Sequence, residues 1–340
     1  MTLPVHLFLL PAYDVHMMPD YITAANNIRI YVDLERALRV LKENDVDVIV
    51  LKGAVLAATI YPDLGARAMG DADLLVRPED RLVAKAALEA AGYRFRPEPR
   101  QRFGPFDTAF TGEMSFWREH GAHIDLHWEL EPVEWLRRLL ALDLAAIWQD
   151  ALPLELEGVE VRQLSPMDTL LHLCMHLAAH GYVHPVGYAD IVQLVRYYES
   201  FPWPQFVALA KARRLRTMCY FALEAAHALR DAPIPLQVLA ALEPPRFQRW
   251  LVRRIADPHR ILAGTLTANK TRNYMLHLAV ADRAADVGRL LGWLLFSGPR
   301  WLAERYHLHG RWRPWFACLW HPLVVVWNAM AAIRAVLTAT

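Results

Sequence analysis

Cysteine is scarce in this chain of 340 residues: Cys174, Cys219 and Cys318 are far apart and odd in number. They form neither a CxxC pair nor a disulfide framework, which excludes a disulfide-stapled scaffold and fits a reducing cytosol. Net charge is nearly absent too. The 37 basic and 36 acidic residues leave a formal charge of +1, so no overall field gathers long nucleic acid or an anionic membrane, and only a local basic groove is left open. There is no Walker loop, no Rossmann GxGxxG and no serine nucleophile elbow, and no internal repeat or low-complexity tract. The run from Met1 to Pro11 lacks a basic leader and a small-residue cleavage site, so no signal peptide is read and the protein is expected in the cytoplasm. Long apolar runs are missing except at the end of the chain. Trp315 to Ala332 is apolar and rich in tryptophan, but it carries His321, Pro322 and Asn328 and is barely long enough to span a bilayer. A buried terminal helix is the first expectation. An interfacial membrane contact comes next, because Arg311, Trp312, Arg313 and Trp315 look like interface anchors, and a dimer contact after it.

Apolar residues, at 55% against 21% charged, permit a substantial core in one large domain or two ordinary ones. Helical spacing of Ile30, Val32, Leu34, Leu38 and Leu41 predicts a helix over about 28–44. Val46 to Leu51 is mostly β-branched and apolar, as a buried strand is. Gly53 ends it, and Ala54 to Tyr61 reads as a short helix. A turn at Pro62–Gly65 leads to a second strand, Ala72 to Val76. Pro78-Glu79-Asp80 opens a helix through Ala91 that Gly92 closes in the left-handed cap position. Weaker strands are expected at Tyr93–Arg96 and Thr108–Thr111, and a clearer one at His123–His127. From Ser165 onward nearly everything has helical period. An α/β domain over 1–160 and a helical domain over 161–340 follow.

Chemistry concentrates in Leu51-Lys52-Gly53-Ala54 and in Arg67-Ala68-Met69-Gly70-Asp71-Ala72-Asp73. Alternate residues of a strand share a face, so Asp71 and Asp73 point the same way. Two like charges so placed repel unless a cation lies between them, and magnesium, which takes hard oxygen ligands, is the natural one. Asp125 is the candidate third carboxylate, on the same face of its strand as His123 and His127. Gly53, before a helix N-terminus, lets a phosphate approach the backbone, while Lys52 and Arg67 can add positive charge.

Taken together, "LKGAVLAATIYPDLGARAMGDADLLV", "AAGYRF", "IDLHWEL", "HLCMHLAAHGY" and "YADIVQL" resemble an uncharacterised bacterial nucleotidyltransferase family of the DNA polymerase β-type superfamily, over residues 30 to 200. The resemblance implies an α+β fold, a polymerase β-type core with a mixed sheet followed by an all-helical C-terminal domain that closes the cleft. It implies Asp71, Asp73 and Asp125 as metal ligands for two Mg2+ ions (Mn2+ as a substitute) and as the catalytic carboxylates. Gly53 is implied as the phosphate-loop glycine. Lys52, Ala54, Arg67, Gly70, His127, His176 and His180 are expected around a nucleoside triphosphate donor, with ATP the first choice. Many superfamily members carry Gly-Ser or Gly-Gly in the loop; here Gly53-Ala54 removes the hydroxyl contact and leaves Lys52 to substitute.

His172, His176 and His180 recur every four residues along one helical face. A polar cleft wall, structural histidines, or a zinc site with His184 or Asp190 all answer to that spacing; Asp190 is also placed to fix one imidazole by a hydrogen bond. Trp128 and Glu129 read as packing or as a border of the base pocket. The cluster Lys211–Arg216 reads as a solvated helix end. The acceptor is expected to be a small molecule, a peptide or a protein side chain rather than long nucleic acid. A DxD glycosyltransferase and a degenerate nucleotide-binding module are the rival readings.

Overall fold

The computed structural model describes residues 20–96, 112–119, 121–257 and 270–338. The reading of the N-terminal run and the strand expected at Thr108–Thr111 lie outside them.

Helix α1 spans Tyr21–Glu43, longer than periodicity alone indicates. Its extra turns begin where the Asp20 side chain accepts the Ile22 N–H at 3.0 Å, a cap that stops the first amides from being orphaned. Tyr21 and Ile22 are exposed, so no apolar stripe marks this start. Ile30, Leu34, Leu38 and Leu41 form the buried face, whereas Val32 points to solvent. Strand β1 (Ile49–Leu51) is shorter than the run Val46–Leu51, although Val46 and Val48 are buried as well. Helix α2 (Lys52–Thr59), β2 (Asp71–Leu75), α3 (Arg81–Ala90) and β3 (Arg94–Arg96) follow. Gly92 has φ +88°, the left-handed cap its position demands. Strands β4 (Glu113–Trp117) and β5 (His123–His127) come next, then short helices α4 (Glu134–Arg137) and α5 (Leu144–Asp150). The hairpin β6 (Leu152–Leu156) and β7 (Val159–Gln163) turns at Glu157-Gly158, with φ of 51° and 71° as a two-residue turn of mirror-image type needs.

The seven strands form one mixed sheet in the order β3-β4-β5-β2-β1-β7-β6. Pairs β2–β5 and β1–β7 are parallel and the others antiparallel. This is the α+β architecture with a mixed sheet and a helical C-terminal region that the sequence indicates. One sheet face is apolar: Val50, Ala72, Leu74, Met114, Phe116, Ile124 and Leu126 pack under α1 and α3. On the other face Ile49, Leu51 and Leu75 join the core of the helical half.

That half begins with α6 (Pro166–Ala179), capped by Ser165 with proline in the first turn. Then come α7 (Pro185–Tyr197), α8 (Trp203–Ala212), α9 (Arg216–Arg230), α10 (Leu236–Leu242) and α11 (Arg246–Ile255). The last are α12 (Lys270–Ala279), α13 (Ala284–Leu295), α14 (Gly298–Tyr306) and α15 (Arg313–Thr338). Two expectations are corrected here. The cluster Lys211–Arg216 is a solvated end only at Lys211 and Ala212, because the α8–α9 turn that follows is tucked inside. Arg213 is 5% exposed and bonds Asp168 of α6, Arg214 meets Asp286 at 2.9 Å, and Asp282 accepts the Arg216 and Thr217 amides. The terminal helix is not buried all round either, since Trp315, Leu319, Leu323 and Trp327 face solvent. Among the described residues no helix is long and apolar enough to cross a membrane.

Candidate active site

The DxD strand is aimed by α1. Buried Asn27 donates through Nδ2 to the carbonyls of Leu64 and Arg67, and its Oδ1 accepts the Met69 N–H at 3.2 Å. Asn26 holds the Met69 carbonyl at 2.8 Å. The loop before β2 is thereby satisfied by side chains, as an irregular buried segment must be, and Asp71 emerges at a fixed point. Tyr31 of the same helix donates to the Ala54 carbonyl at 2.6 Å and pins the first turn of α2.

Register then assembles the carboxylates. In the β2–β5 pair Asp73 lies opposite Asp125, Asp71 opposite His123 and Leu75 opposite His127. In the β4–β5 pair Ser115 lies opposite Asp125 and Glu113 opposite His127. Paired residues share a face, so Asp71, Asp73, Asp125, Ser115, His127 and Glu113 stand together on the side away from α1.

Asp73 is the hub. Its Oδ1 accepts from Lys52 Nζ at 3.0 Å and meets His127 Nε2 at 3.0 Å. His127 Nδ1 lies 3.4 Å from Glu113 Oε2, so the buried imidazole is set between two carboxylates. Burial pushes the Asp73 carboxyl up, but Lys52 and His127 outweigh it and hold the group well below the ordinary range. Lys52 and His127 both shift upward: burial pulls them down, and Asp73 together with Glu113, and for Lys52 also Asp71, more than offsets it. Asp71, at the open edge, is raised by partial desolvation and then by repulsion from Asp73. Desolvation lifts Asp125 to about 6, with Ser115 pulling the other way. A cluster whose carboxyls are pushed apart in this manner is a signature of functional sites.

Lys52 adopts φ +44°. A left-handed lysine costs about 1 kcal/mol or more, and here it turns the chain from β1 into α2 while sending the ammonium to Asp73. Leu51, before α2, offers no capping side chain, so the first helical amides have no side-chain partner at that residue. Gly53 serves a different neighbour from the one its sequence position suggests. Arg67 occupies the space beside it: a Cβ on Gly53 would lie 2.3 Å from Arg67 Nη1. Arg67 in turn forks onto Asp190 of α7, Nη2–Oδ2 2.8 Å and Nε–Oδ1 3.2 Å, and Tyr61 adds a bond to Asp190 at 2.7 Å. Asp190 thus fixes a guanidinium rather than a histidine. Ala54 buries its methyl in the core under α1, so only its backbone belongs to this region. Gly70 is exposed with open space around it.

His172 and His176 of α6, His180 at its C-cap and His184 before α7 form a continuous ring chain. Centroids of His176 and His180 are 4.4 Å apart, those of His180 and His184 4.7 Å, and His172 meets His176 edge-on at 6.4 Å. His172 and Lys52 line one crevice of about 10 Å³, close to the minimum for a single water. Burial and then the Lys52 charge hold His172 and His176 well below the usual imidazole range; burial and then His184 take His180 to about 4. The chain is therefore neutral at pH 7. Among the described residues no group of three or more His, Cys, Asp or Glu is drawn together tightly enough to hold a metal as it stands. By donor chemistry the Asp71–Asp73–Asp125 set, all hard oxygen and in part mutually repelling, suits a divalent cation.

Two carboxylates had no place in the sequence reading. Glu113 alternates with apolar Met114 and Phe116, a detectable signal, but only pairing puts it opposite His127. Glu131 is 2% exposed, accepts the Val133 N–H at 3.0 Å and is pushed by burial to about 7. Nothing local distinguishes it from a surface loop acid.

A family model described as "Uncharacterised nucleotidyltransferase" matches residues 19–231. Among solved structures, an antigenic nucleotidyltransferase-like protein from Paracoccidioides brasiliensis is similar at 14% identity, covering 64% of this chain and 93% of that one, with a TM-score of 0.36. A tRNA-processing enzyme in an apo form is similar at 12% identity, covering 95% and 92%, with a TM-score of 0.24. Both scores are too low to bear an argument. No curated protein matches the chain.

Proposed function

The chain belongs to the uncharacterised nucleotidyltransferase family, and from that premise we propose that it moves a nucleoside monophosphate, AMP in the first instance, from a triphosphate to an acceptor hydroxyl or phosphate. The observation that carries this reading is the register that sets Asp73 against Asp125, with Asp71 two residues away on the same face and Lys52 alongside. In the reaction the acceptor oxygen forms a bond to the α-phosphorus, the bond from that phosphorus to the oxygen bridging the β-phosphate breaks, and pyrophosphate leaves. Asp71, Asp73 and Asp125 would hold two Mg2+ ions, with Mn2+ as a substitute, and those ions supply charge neutralisation for the triphosphate.

The protein's own groups divide the remaining work. Asp125, opposite Asp73 on the neighbouring strand, is placed to help draw the proton from the acceptor. Lys52 neutralises Asp73 at 3.0 Å and would offer its positive charge to the triphosphate. His127, fixed between Asp73 and Glu113, orients the Asp73 carboxylate. Arg67 contributes charge beside Gly53 and the start of α2 while its fork to Asp190 ties β2's loop to the helical half. His176 and His180, neutral, form the wall of α6 for hydrogen bonding to donor or acceptor. The balanced charge of the chain favours a small molecule, a peptide or a protein as acceptor over long nucleic acid, and the unpaired cysteines favour the cytosol.

Calorimetry with Mg2+ and ATP, GTP, CTP or UTP tests the reading on wild type and on Asp71→Asn/Asp73→Asn. Binding of one nucleotide, abolished in the double variant with an unchanged circular dichroism spectrum, is expected. Pyrophosphate release at the wild-type rate by Asp73→Asn would remove the carboxylates from the mechanism. Binding of nucleotide sugars instead would move the protein to sugar transfer.

A further inference from the structure

Helix α15 takes no part in the proposed transfer, and its outward face is unusual. Pro314, Ala317 and His321 turn inward, with His321 Nε2 donating to the Leu294 carbonyl and Nδ1 bonded to the Tyr306 hydroxyl, each at 2.7 Å. The opposite face, led by Trp312, carries Trp315, Phe316, Leu319, Leu323 and Trp327 at helical spacing, each 60% exposed or more. A contiguous apolar stripe of this kind on a protein surface marks a contact site. Its charge setting selects the partner. Residues 298–338 contain five arginines (Arg300, Arg305, Arg311, Arg313, Arg334), one acid (Glu304), and neither lysine nor aspartate, a formal charge of +4. The rest of the chain, with 32 basic against 35 acidic residues, carries −3. Positive charge is therefore gathered on a segment whose apolar face lacks a cover, a pattern the near-zero total conceals.

We propose that α15 and the turn before it form a docking surface for an anionic lipid bilayer. Trp312 and Trp315 stand at the start of the helix beside Arg311 and Arg313, and Arg311 lies over the Trp312 ring at 5.3 Å. Tryptophan settles at the headgroup level, leucine and phenylalanine enter the acyl boundary, and arginine meets lipid phosphates. None of the described helices is long and apolar enough to cross a bilayer, and Pro322 lies inside this one, so the proposed docking has the helix lying in the interface plane. A second copy seated on the same face by two-fold symmetry would oppose like charge to like charge. The docking is independent of the nucleotide chemistry.

Flotation of the full chain with phosphatidylcholine vesicles, with and without about 30 mol% phosphatidylglycerol, tests it. Association about tenfold or more stronger with the anionic vesicles is expected, weakening with salt. Leu319→Glu/Leu323→Glu should remain in solution with an unchanged circular dichroism spectrum, because both side chains are already exposed. Arg311→Gln/Arg313→Gln should lose the preference for anionic lipid. Failure of the folded wild type to float, or equal binding to neutral vesicles, would overturn the proposal. So would a dimer in sedimentation that the Leu319→Glu/Leu323→Glu change dissolves.

Discussion

Replacing Gly53 by alanine sets two effects of opposite sign against each other. Gly53 lies in the first turn of α2, where alanine is intrinsically favoured over glycine by about 0.8–1 kcal/mol. Propensity alone therefore makes Gly53→Ala stabilising. The tertiary structure reverses this. The new Cβ would stand 2.3 Å from Arg67 Nη1, 2.9 Å from Cζ and 3.3 Å from Met69 Cγ, against a comfortable separation of about 3.5 Å. A guanidinium is flexible and would normally swing away, but this one is pinned by Asp190 at 2.8 and 3.2 Å, and Asp190 is pinned by Tyr61. A retreat of about 1 Å carries both bonds past hydrogen-bonding length. A hydrogen bond to a charged group is worth about 1.5–3 kcal/mol, so losing these bonds, even with partial relaxation around them, outweighs the propensity gain. Gly53→Ala should destabilise by about 1–3 kcal/mol. Urea unfolding followed by circular dichroism reads this directly. In an Arg67→Ala background the same change should become stabilising by about 1 kcal/mol. A higher urea midpoint for the single variant would refute the pinning argument. Unchanged stability with nucleotide binding lost would return Gly53 to a role in phosphate approach alone.

Lys52→Met leaves the Asp71–Asp73 pair without its internal cation. Calorimetry should then show Mg2+ alone binding about tenfold or more tightly, while Mg2+-nucleotide binds more weakly; an unchanged Mg2+ affinity would deny Lys52 its counter-ion role. Glu131 titrates at about 7 through burial, above its value in an unfolded chain. The stability this provides is complete below about pH 4.5 and is lost as pH rises through about 7, a total of about 3 kcal/mol. Glu131→Gln should flatten that decline in urea midpoints between pH 5 and 8, and a parallel decline in the variant would assign it to another group. Asp168 is 1% exposed and Arg213 5%. Asp168→Ala should cost about 3–5 kcal/mol by stranding a buried guanidinium, and Asp168→Leu/Arg213→Met should recover most of it; thermal melts that leave the single variant unshifted would place the pair in solvent.

The residues themselves determined a good deal. Asp71-Ala72-Asp73 and His123–His127 alternate polar with apolar side chains, and strand geometry turns such alternation into two faces without reference to the rest of the chain. Ser165-Pro166 and Gly92 likewise fix a helix start and a helix end by local conformational preference. Pairing partners are another matter. Asp73 meets Asp125 only because β2 runs parallel to β5, and Arg67 finds Asp190 across 123 positions; hydrogen-bonded ladders carry no mark in either segment that names the other. Glu113 and Glu131 stayed unseen for the same reason, and so did the burial of Arg213, whose charge type alone suggests solvent. Lys52 sent to Asp73 through a left-handed backbone is the sharpest case, since lysine does not favour that conformation and nothing local requests it. The last helix shows the division once more. Its helical spacing and largely apolar character are legible in the residues, but which face is covered depends on what the tertiary structure packs against it, and α13 and α14 hold the side that carries His321.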